Sequence, residues 1–280
     1  MEPMMIEVAL NELADKEENP NVPYSVDEVV RDAVACSRAG ASILHLHARD
    51  AVTGEQRWFD TQYYREAFGR ISAEVDALVY PTQPGSGMDR CPHVIELADE
   101  GLELATVDIF PPRPFAPDAG DVDPNLPVMA ELRRRGVAYS LGVREIGHMR
   151  YLQLYRDRGL LDDVVHLKIF FDERLAGPTP GPRGLLMYLD QVPAGMTCHW
   201  FTTLYRGSPD GTCFRRLTML AAAMGGHIRT GLGDNPVLGD DGTRTNVDLV
   251  RMAVDLAHAA GREVATPAET RRMLGSRARV

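Results

Sequence analysis

Apolar and polar positions along this chain alternate between two periods. Runs of β-branched and apolar residues, five to eight long, recur between longer stretches whose apolar residues return every three or four positions. The runs predict eight strands: Ile6–Leu10, Ser42–His47, Ala77–Pro81, Leu104–Phe110, Ala138–Val143, Val164–Phe171, Met196–Thr203 and Gly226–Gly231. The intervening stretches predict helices from Ser25 to Ala39, then Gln62–Ile71, Pro92–Asp99, Pro127–Arg135, His148–Arg158, Gly184–Leu189, Phe214–Met224 and Asn246–Ala260, with a last helix opening at Thr266. Ser25-Val26-Asp27-Glu28 and Thr266-Pro267-Ala268-Glu269 are capping boxes, and Gly40 is a stop signal.

Eight strand–helix alternations with short connections imply parallel strands. The 280 residues suit one (β/α)₈ barrel spanning residues 1–280, a fold that commonly takes about 250 residues. A doubly wound open sheet is the alternative, but no GxGxxG or Walker sequence follows any strand. Two long connections rich in Pro and Gly, Pro111–Asn125 and Asp172–Arg183, follow strands and so belong on the face where barrels keep their chemistry.

A net charge of −10 argues against nucleic acid as the main partner. No stretch approaches the roughly 18 apolar residues of a membrane span, and the first residues lack the basic and apolar regions of a leader. Cys36, Cys91, Cys198 and Cys213 form no CxxC pair and read as buried thiols of a reducing compartment. Together these predict a cytoplasmic enzyme acting on a small molecule.

The strongest chemical signal is His45-Leu46-His47. Residues i and i+2 of a strand face the same way, so both imidazoles point together at the C-terminal end of the second strand, suited to sharing a divalent metal. A hydrogen-bonded pair of core histidines is the alternative. Arg229 leaves the eighth strand facing inward, with Asp234 and Asn235 on the loop that follows; an Arg–Asp pair there can hold a base or close the barrel as a structural salt bridge. Thr82, in Tyr80-Pro81-Thr82-Gln83-Pro84-Gly85, ends the third strand, and Thr106 and Asp108 share a face of the fourth. Arg206, just past the seventh strand, is a candidate phosphate contact or a solvated surface residue.

Four separated segments carry a family resemblance: Asn19-Pro20-Asn21-Val22-Pro23-Tyr24-Ser25, Ala39 through Asp50, Gly225-Gly226-His227-Ile228-Arg229-Thr230-Gly231, and Gly261 through Glu269. In these the chain resembles the β-keto acid cleavage enzymes. The resemblance implies a barrel assembled as a homotetramer, binding zinc or another divalent metal, that condenses a β-keto acid with acetyl-CoA to give acetoacetate and a new acyl-CoA. It implies His45 and His47 as metal ligands, and Arg229 with Asp234 as the catalytic pair. Thr82 stands at a family Ser, and Thr106 at a family Thr. Glu12, Arg206 and Asn235 are the implied substrate contacts.

Two departures stand out. The family's third zinc-ligand Glu is Gly233 here, and a second family Glu is Gly142. This reading predicts a site with fewer negative charges, favouring neutral or dicarboxylic keto acids over amino-substituted ones. It also predicts that Gly233→Glu rebuilds a His/His/Glu set. The alternatives are a metal-dependent aldolase or decarboxylase working without CoA, and a non-catalytic protein that binds acyl-CoA or keto acids.

Overall fold

The computed structural model describes residues 1–109, 123–173, 177–238 and 243–276. Eight parallel strands alternate with helices: β1 Ile6–Ala9, α1 Val26–Ala39, β2 Ile43–Leu46, α2 Thr61–Ser72, β3 Leu78–Pro81, α3 Pro92–Asp99, β4 Leu104–Asp108, α4 Asn125–Arg134, β5 Ala138–Val143, α5 Arg150–Asp157, β6 Val164–Asp172, α6 Pro182–Leu189, β7 Thr197–Tyr205, α7 Thr212–Met224, β8 His227–Thr230, α8 Asn246–Ala259 and a final α9 Pro267–Leu274. This is the expected (β/α)₈ barrel. Phe110 and residues 111–122 of the first long connection lie outside the described residues, as do residues 174–176 of the second.

Every residue of β1, β2, β3 and β8 is buried, as happens when helices cover one face of a parallel strand and the barrel interior covers the other. Outward Val8, Leu44, Val79, Val107, Leu141 and Ile169 pack under the helices. A smaller cluster of Met5, Ile43, Leu78, Leu104 and Phe201 closes the N-terminal end of the barrel with Ala265 and Leu274 from around α9. Buried His166 and His227 pack against Phe201 of this cluster.

The capping boxes form as expected. Glu28 N donates to Ser25 Oγ (3.3 Å) and Ser25 N to Glu28 Oε2 (3.0 Å), with the same reciprocal pair at Thr266 and Glu269. A third box, Thr245 with Asp248, opens α8. The sheet order is β3-β2-β1-β8-β7-β6-β5-β4, so the first and last strands pair. Among the described residues no ladder joins β3 to β4. Arg271 of α9 clamps the lower edge of this seam, bonding Asp76 Oδ2 (3.0 Å) before β3 and Glu103 Oε2 (2.6 Å) before β4. Three registers set up the site: Ala9 beside His45 beside Tyr80, Glu7 beside Arg229, and Asp108 beside Gly142 beside Lys168.

Candidate active site

His45 lies on β2 and His47 one residue past it, their rings edge-to-face with centroids 5.1 Å apart. The loop after β1 brings Glu12 against both. Glu12 Oε1 lies 3.0 Å from His45 Nε2, and Oε2 lies 3.7 Å from His47 Nε2. Glu12 has φ +29, a left-handed conformation costing on the order of 1–3 kcal/mol in a non-glycine residue. Its surroundings impose that conformation. Buried Arg49 donates to the carbonyls of Asn11, Glu12, Ala14 and Gly54. Asn11 Oδ1 accepts from His47 N (2.8 Å), while its amide donates to Pro23 O and His47 O (both 3.0 Å).

Gln56 couples two members of the triad. Its amide Nε2 donates to Glu12 O (2.6 Å), which turns Oε1 toward His47 Nδ1 (3.0 Å). His47 Nδ1 is then the protonated nitrogen, and the Nε2 lone pair faces the Glu12 carboxylate. Burial pushes the His47 pKa down to about 3 and lowers that of His45 despite the neighbouring Glu12, so both rings are neutral. Burial opposes the Glu12 charge, but Arg229, with the hydrogen bond from His45, holds the carboxyl well below the usual range. Two neutral imidazoles and an ionised carboxylate, with ligand atoms all within 4.8 Å of one another, make the donor set of a divalent metal.

Arg229, fully buried, serves three carboxylates. NH1 donates to Glu7 Oε1 (2.7 Å) and Tyr80 OH (3.1 Å), NH2 to Glu12 and to Asp234 Oδ1 (3.0 Å), and Nε to Asp234 Oδ2 (3.0 Å). Thr203 adds a bond to Asp234 Oδ2 (2.8 Å). Burial raises the Asp234 pKa to about 6, against the pull of Arg229. Three buried carboxylates beside one arginine and Lys168 leave the cage anionic, which a dication at Glu12 would offset.

A cavity of about 310 Å³ opens on this end of the barrel. Its lining includes Glu12, His45, His47, Thr82, Thr106 and Lys168, with Trp58, Asp108, Arg144, Phe170 and Tyr205. Neither Arg229 nor Asp234 lines it. Lys168 Nζ donates to Thr106 Oγ1 (2.6 Å) and Tyr80 OH (3.3 Å). Thr106 accepts from Lys168, so its own hydrogen is free for a ligand.

The remaining candidates are in loop contacts. Arg206 is held by Glu18 and donates to Leu13 O (3.2 Å). Asn235 accepts from Gly207 N (2.8 Å) and donates to Leu204 O. Neither lines the cavity. His227 sits lower in the barrel, accepting from Met5 N (3.0 Å) and lying 3.3 Å from His199.

The two glycines do not thin the negative charge as their sequence suggests. A Cβ on Gly233 would lie 2.8 Å from Glu12 Cβ, and one on Gly142 would collide with the Asp108 carboxylate. Each space is occupied by an acidic side chain from another segment. Sequence reasoning missed the contributions of Glu7, Gln56, Tyr80, Lys168 and Tyr205. The one available signal was Lys168, a charge inside the apolar run Val164–Phe171.

Comparison with known proteins identifies the family of the chain. The model of the beta-keto acid cleavage enzyme family matches residues 3–275. The 3-keto-5-aminohexanoate cleavage enzyme of Fusobacterium nucleatum is 31% identical over 267 residues, 92% of each chain. The 3-dehydrocarnitine:acetyl-CoA trimethylamine transferase of Rhizobium meliloti is 27% identical, covering 91% of this chain and 90% of that one. The 3-oxoadipate:acetyl-CoA acetyltransferase of Cupriavidus necator is 26% identical, covering 98% and 95%. Among solved structures, apo ObcA superposes with a TM-score of 0.69 at 16% identity, covering 92% of this chain and 66% of that longer one, a likeness of fold alone.

Proposed function

Because the chain belongs to the β-keto acid cleavage enzyme family, we propose that it condenses a β-keto acid with acetyl-CoA, releasing acetoacetate and a new acyl-CoA. The observation that carries this reading is the Glu12–His45–His47 triad on the wall of the cavity. Those three residues would hold a divalent ion, zinc by family resemblance, and Glu12 takes the ligand role rather than a substrate contact. A metal bound there supplies Lewis acidity to the oxygens of the keto acid.

The chain's own residues do the rest. Arg229 and Tyr205, whose OH lies 2.5 Å from Glu12 Oε2, fix the Glu12 carboxylate. Thr106, whose oxygen accepts from Lys168, directs its hydrogen at a developing oxyanion, and Thr82 lines the same cavity as a second hydroxyl donor. Asp234, raised by burial to about 6 and set behind the cavity wall, acts through Arg229, which it orients toward Glu12. At the rim, Arg144 NH2 pairs with Asp108 Oδ2 (2.8 Å) over the Phe170 ring. A neutral pair suits an uncharged keto-acid tail better than an amino-substituted one. A homotetramer and a cytoplasmic setting belong to the same reading; no described helix is long and apolar enough to cross a membrane.

The test is a panel of neutral, amino-substituted and dicarboxylic β-keto acids offered with acetyl-CoA, with metal added or chelated, acyl-CoA products being identified by mass. We expect a metal-dependent acyl-CoA from at least one acid. Absence of product from the whole panel in metal-loaded protein overturns the proposal.

A further inference from the structure

The chain holds two lysines, Lys16 and Lys168, against 28 arginines. Where a cation is buried elsewhere it is an arginine: Arg49, Arg229 and Arg262. Position 168 is the exception, and the distinction is chemical. A guanidinium stays protonated, whereas a buried amine can lose its proton and become a nucleophile. Lys168 stands mid-strand in β6 with 2% of its surface exposed and lines the cavity that also holds the triad. Its recorded partners are hydroxyls, Thr106 at 2.6 Å and Tyr80 at 3.3 Å; among the described residues no carboxylate bonds to it. Nζ lies 5.3 Å from the Tyr80 ring centroid and 5.7 Å from that of Phe170, faces that shield it from water.

We propose that Lys168 is an imine-forming amine, condensing with the ketone of a β-keto acid and giving this cavity a second activity, decarboxylation without CoA. Burial lowers the ammonium pKa, Arg229 working in the same direction and Glu7, Asp108 and Glu12 against it, so the site favours loss of the proton more than water does. The Nζ lone pair attacks the ketone carbon, and a proton passes to the ketone oxygen by way of the Thr106 hydroxyl. Loss of that oxygen as water leaves a protonated imine. The bond from the α-carbon to the carboxylate then breaks, its electron pair moving into the imine to give an enamine and carbon dioxide. The α-carbon takes up a proton, and water hydrolyses the imine, returning the amine and releasing a ketone. The net change is β-keto carboxylate plus a proton to ketone plus carbon dioxide.

The proposal rests on the keto-acid reading of the cavity, but on neither a bound metal nor CoA. The experiment therefore uses the whole chain, stripped with a chelator and without CoA, incubated with the same β-keto acid panel and sodium borohydride. Intact mass and peptide mapping follow. With one other lysine in the chain, salt-bridged Lys16, the site of an adduct is unambiguous. We expect one reduced adduct, of the mass of the decarboxylated ketone, on the peptide containing Lys168. Lys168→Arg, which keeps the charge, and Lys168→Met, which keeps the length, both lose the adduct and the CoA-independent release of carbon dioxide, with their fold checked by circular dichroism. An unmodified Lys168 in folded protein, or modification confined to Lys16 or the amino terminus, overturns the proposal. An adduct carrying the intact acid overturns the decarboxylation step. Acyl-CoA formation without trapping removes the imine and leaves the condensation standing; trapping without acyl-CoA does the reverse.

Discussion

A single methyl group on Gly233 should weaken metal binding at the proposed Glu12–His45–His47 site. Its backbone is not in the left-handed region, so alanine is excluded by space and not by φ. The added Cβ would lie 2.8 Å from both Glu12 Cβ and Glu12 N, and 2.9 Å from Ala9 O. Carbon atoms rest at about 3.5–4.0 Å, so the two loops must separate by roughly 0.7 Å or more. Glu12 has little room to yield, with its carbonyl bonded by Gln56 and Arg49 and its carboxylate by Arg229 and Tyr205. Overpacking of this kind costs about 1–3 kcal/mol, which in a domain of this size lowers Tm by roughly 2–5 °C. Metal–ligand distances tolerate only about 0.2 Å, so a Glu12 pushed aside by several times that should weaken binding at least tenfold. Chelator-competition titration and calorimetry of Gly233→Ala measure both effects. Gly69→Ala on α2 is the control, its Cβ meeting nothing within 4 Å. Gly233→Glu should behave like Gly233→Ala, the opposite of the restored site expected from the family motif. Metal binding as tight as, or tighter than, that of the unaltered protein in either variant would refute the reasoning.

Three further outcomes are expected. His45→Ala, His47→Ala and Glu12→Gln should each purify folded with metal content reduced at least tenfold by elemental analysis, and full content in any one removes that residue from the ligand set. Asp234→Asn should lower kcat by 10²-fold or more with KM little changed; movement of KM alone would make Asp234 a binding or structural residue. Asp32, buried with its Oδ2 2.6 Å from Asn246 Nδ2, is raised by burial from an ordinary 3.8 to about 6. A carboxyl raised in the fold penalises the native state once ionised: the penalty is absent below about pH 4, grows up to about pH 6 and is full above it. The interval corresponds to roughly 3 kcal/mol as an upper bound. Asp32→Asn should thus stabilise the protein by about 1–3 kcal/mol at pH 7.5 and by almost nothing at pH 4 in urea titrations, and equal effects at the two pH values would be incompatible with a raised pKa.

The barrel was legible because its signal is local and repeated: each apolar run is one strand, each 3.6-residue pattern one helix. His45 and His47 were legible for the same reason, two side chains on one strand with a two-residue period. Glu12 was not. Its place in the triad depends on a left-handed turn held by Arg49 and Gln56, residues 37 and 44 positions further along, and no local pattern encodes that meeting. Motif matching looked for the carboxylate beside the two histidines at Gly233, whereas Glu12 reaches them from the loop packed against that glycine. Arg229 was correctly read as inward-facing and joined to Asp234, but its bonds to Glu7 and Glu12 come from the β1–β8 pairing across 222 and 217 residues. Charge counting by position failed for a related reason: Asp108 reaches across into the space that Gly142 leaves open.

The unlaced boundary between β3 and β4 bears on how the chain can mature during synthesis. Because β1 pairs with β8, and β3 with no later strand among the described residues, the order of emergence divides the sheet into two parts. β1 to β3 can lace together as soon as they are made, and β4 to β7 form a second sheet of their own. Nothing joins the two through backbone until the β8 segment appears near residue 227. Until then the half bearing Glu7, Glu12, His45 and His47 has carboxylates without their arginine, which arrives with β8. Domains emerge at about 5–20 residues per second, so this half waits on the order of ten seconds or more with an open edge. A nascent chain arrested before β8 should therefore expose two sheet edges that the finished barrel joins, and present them to chaperones.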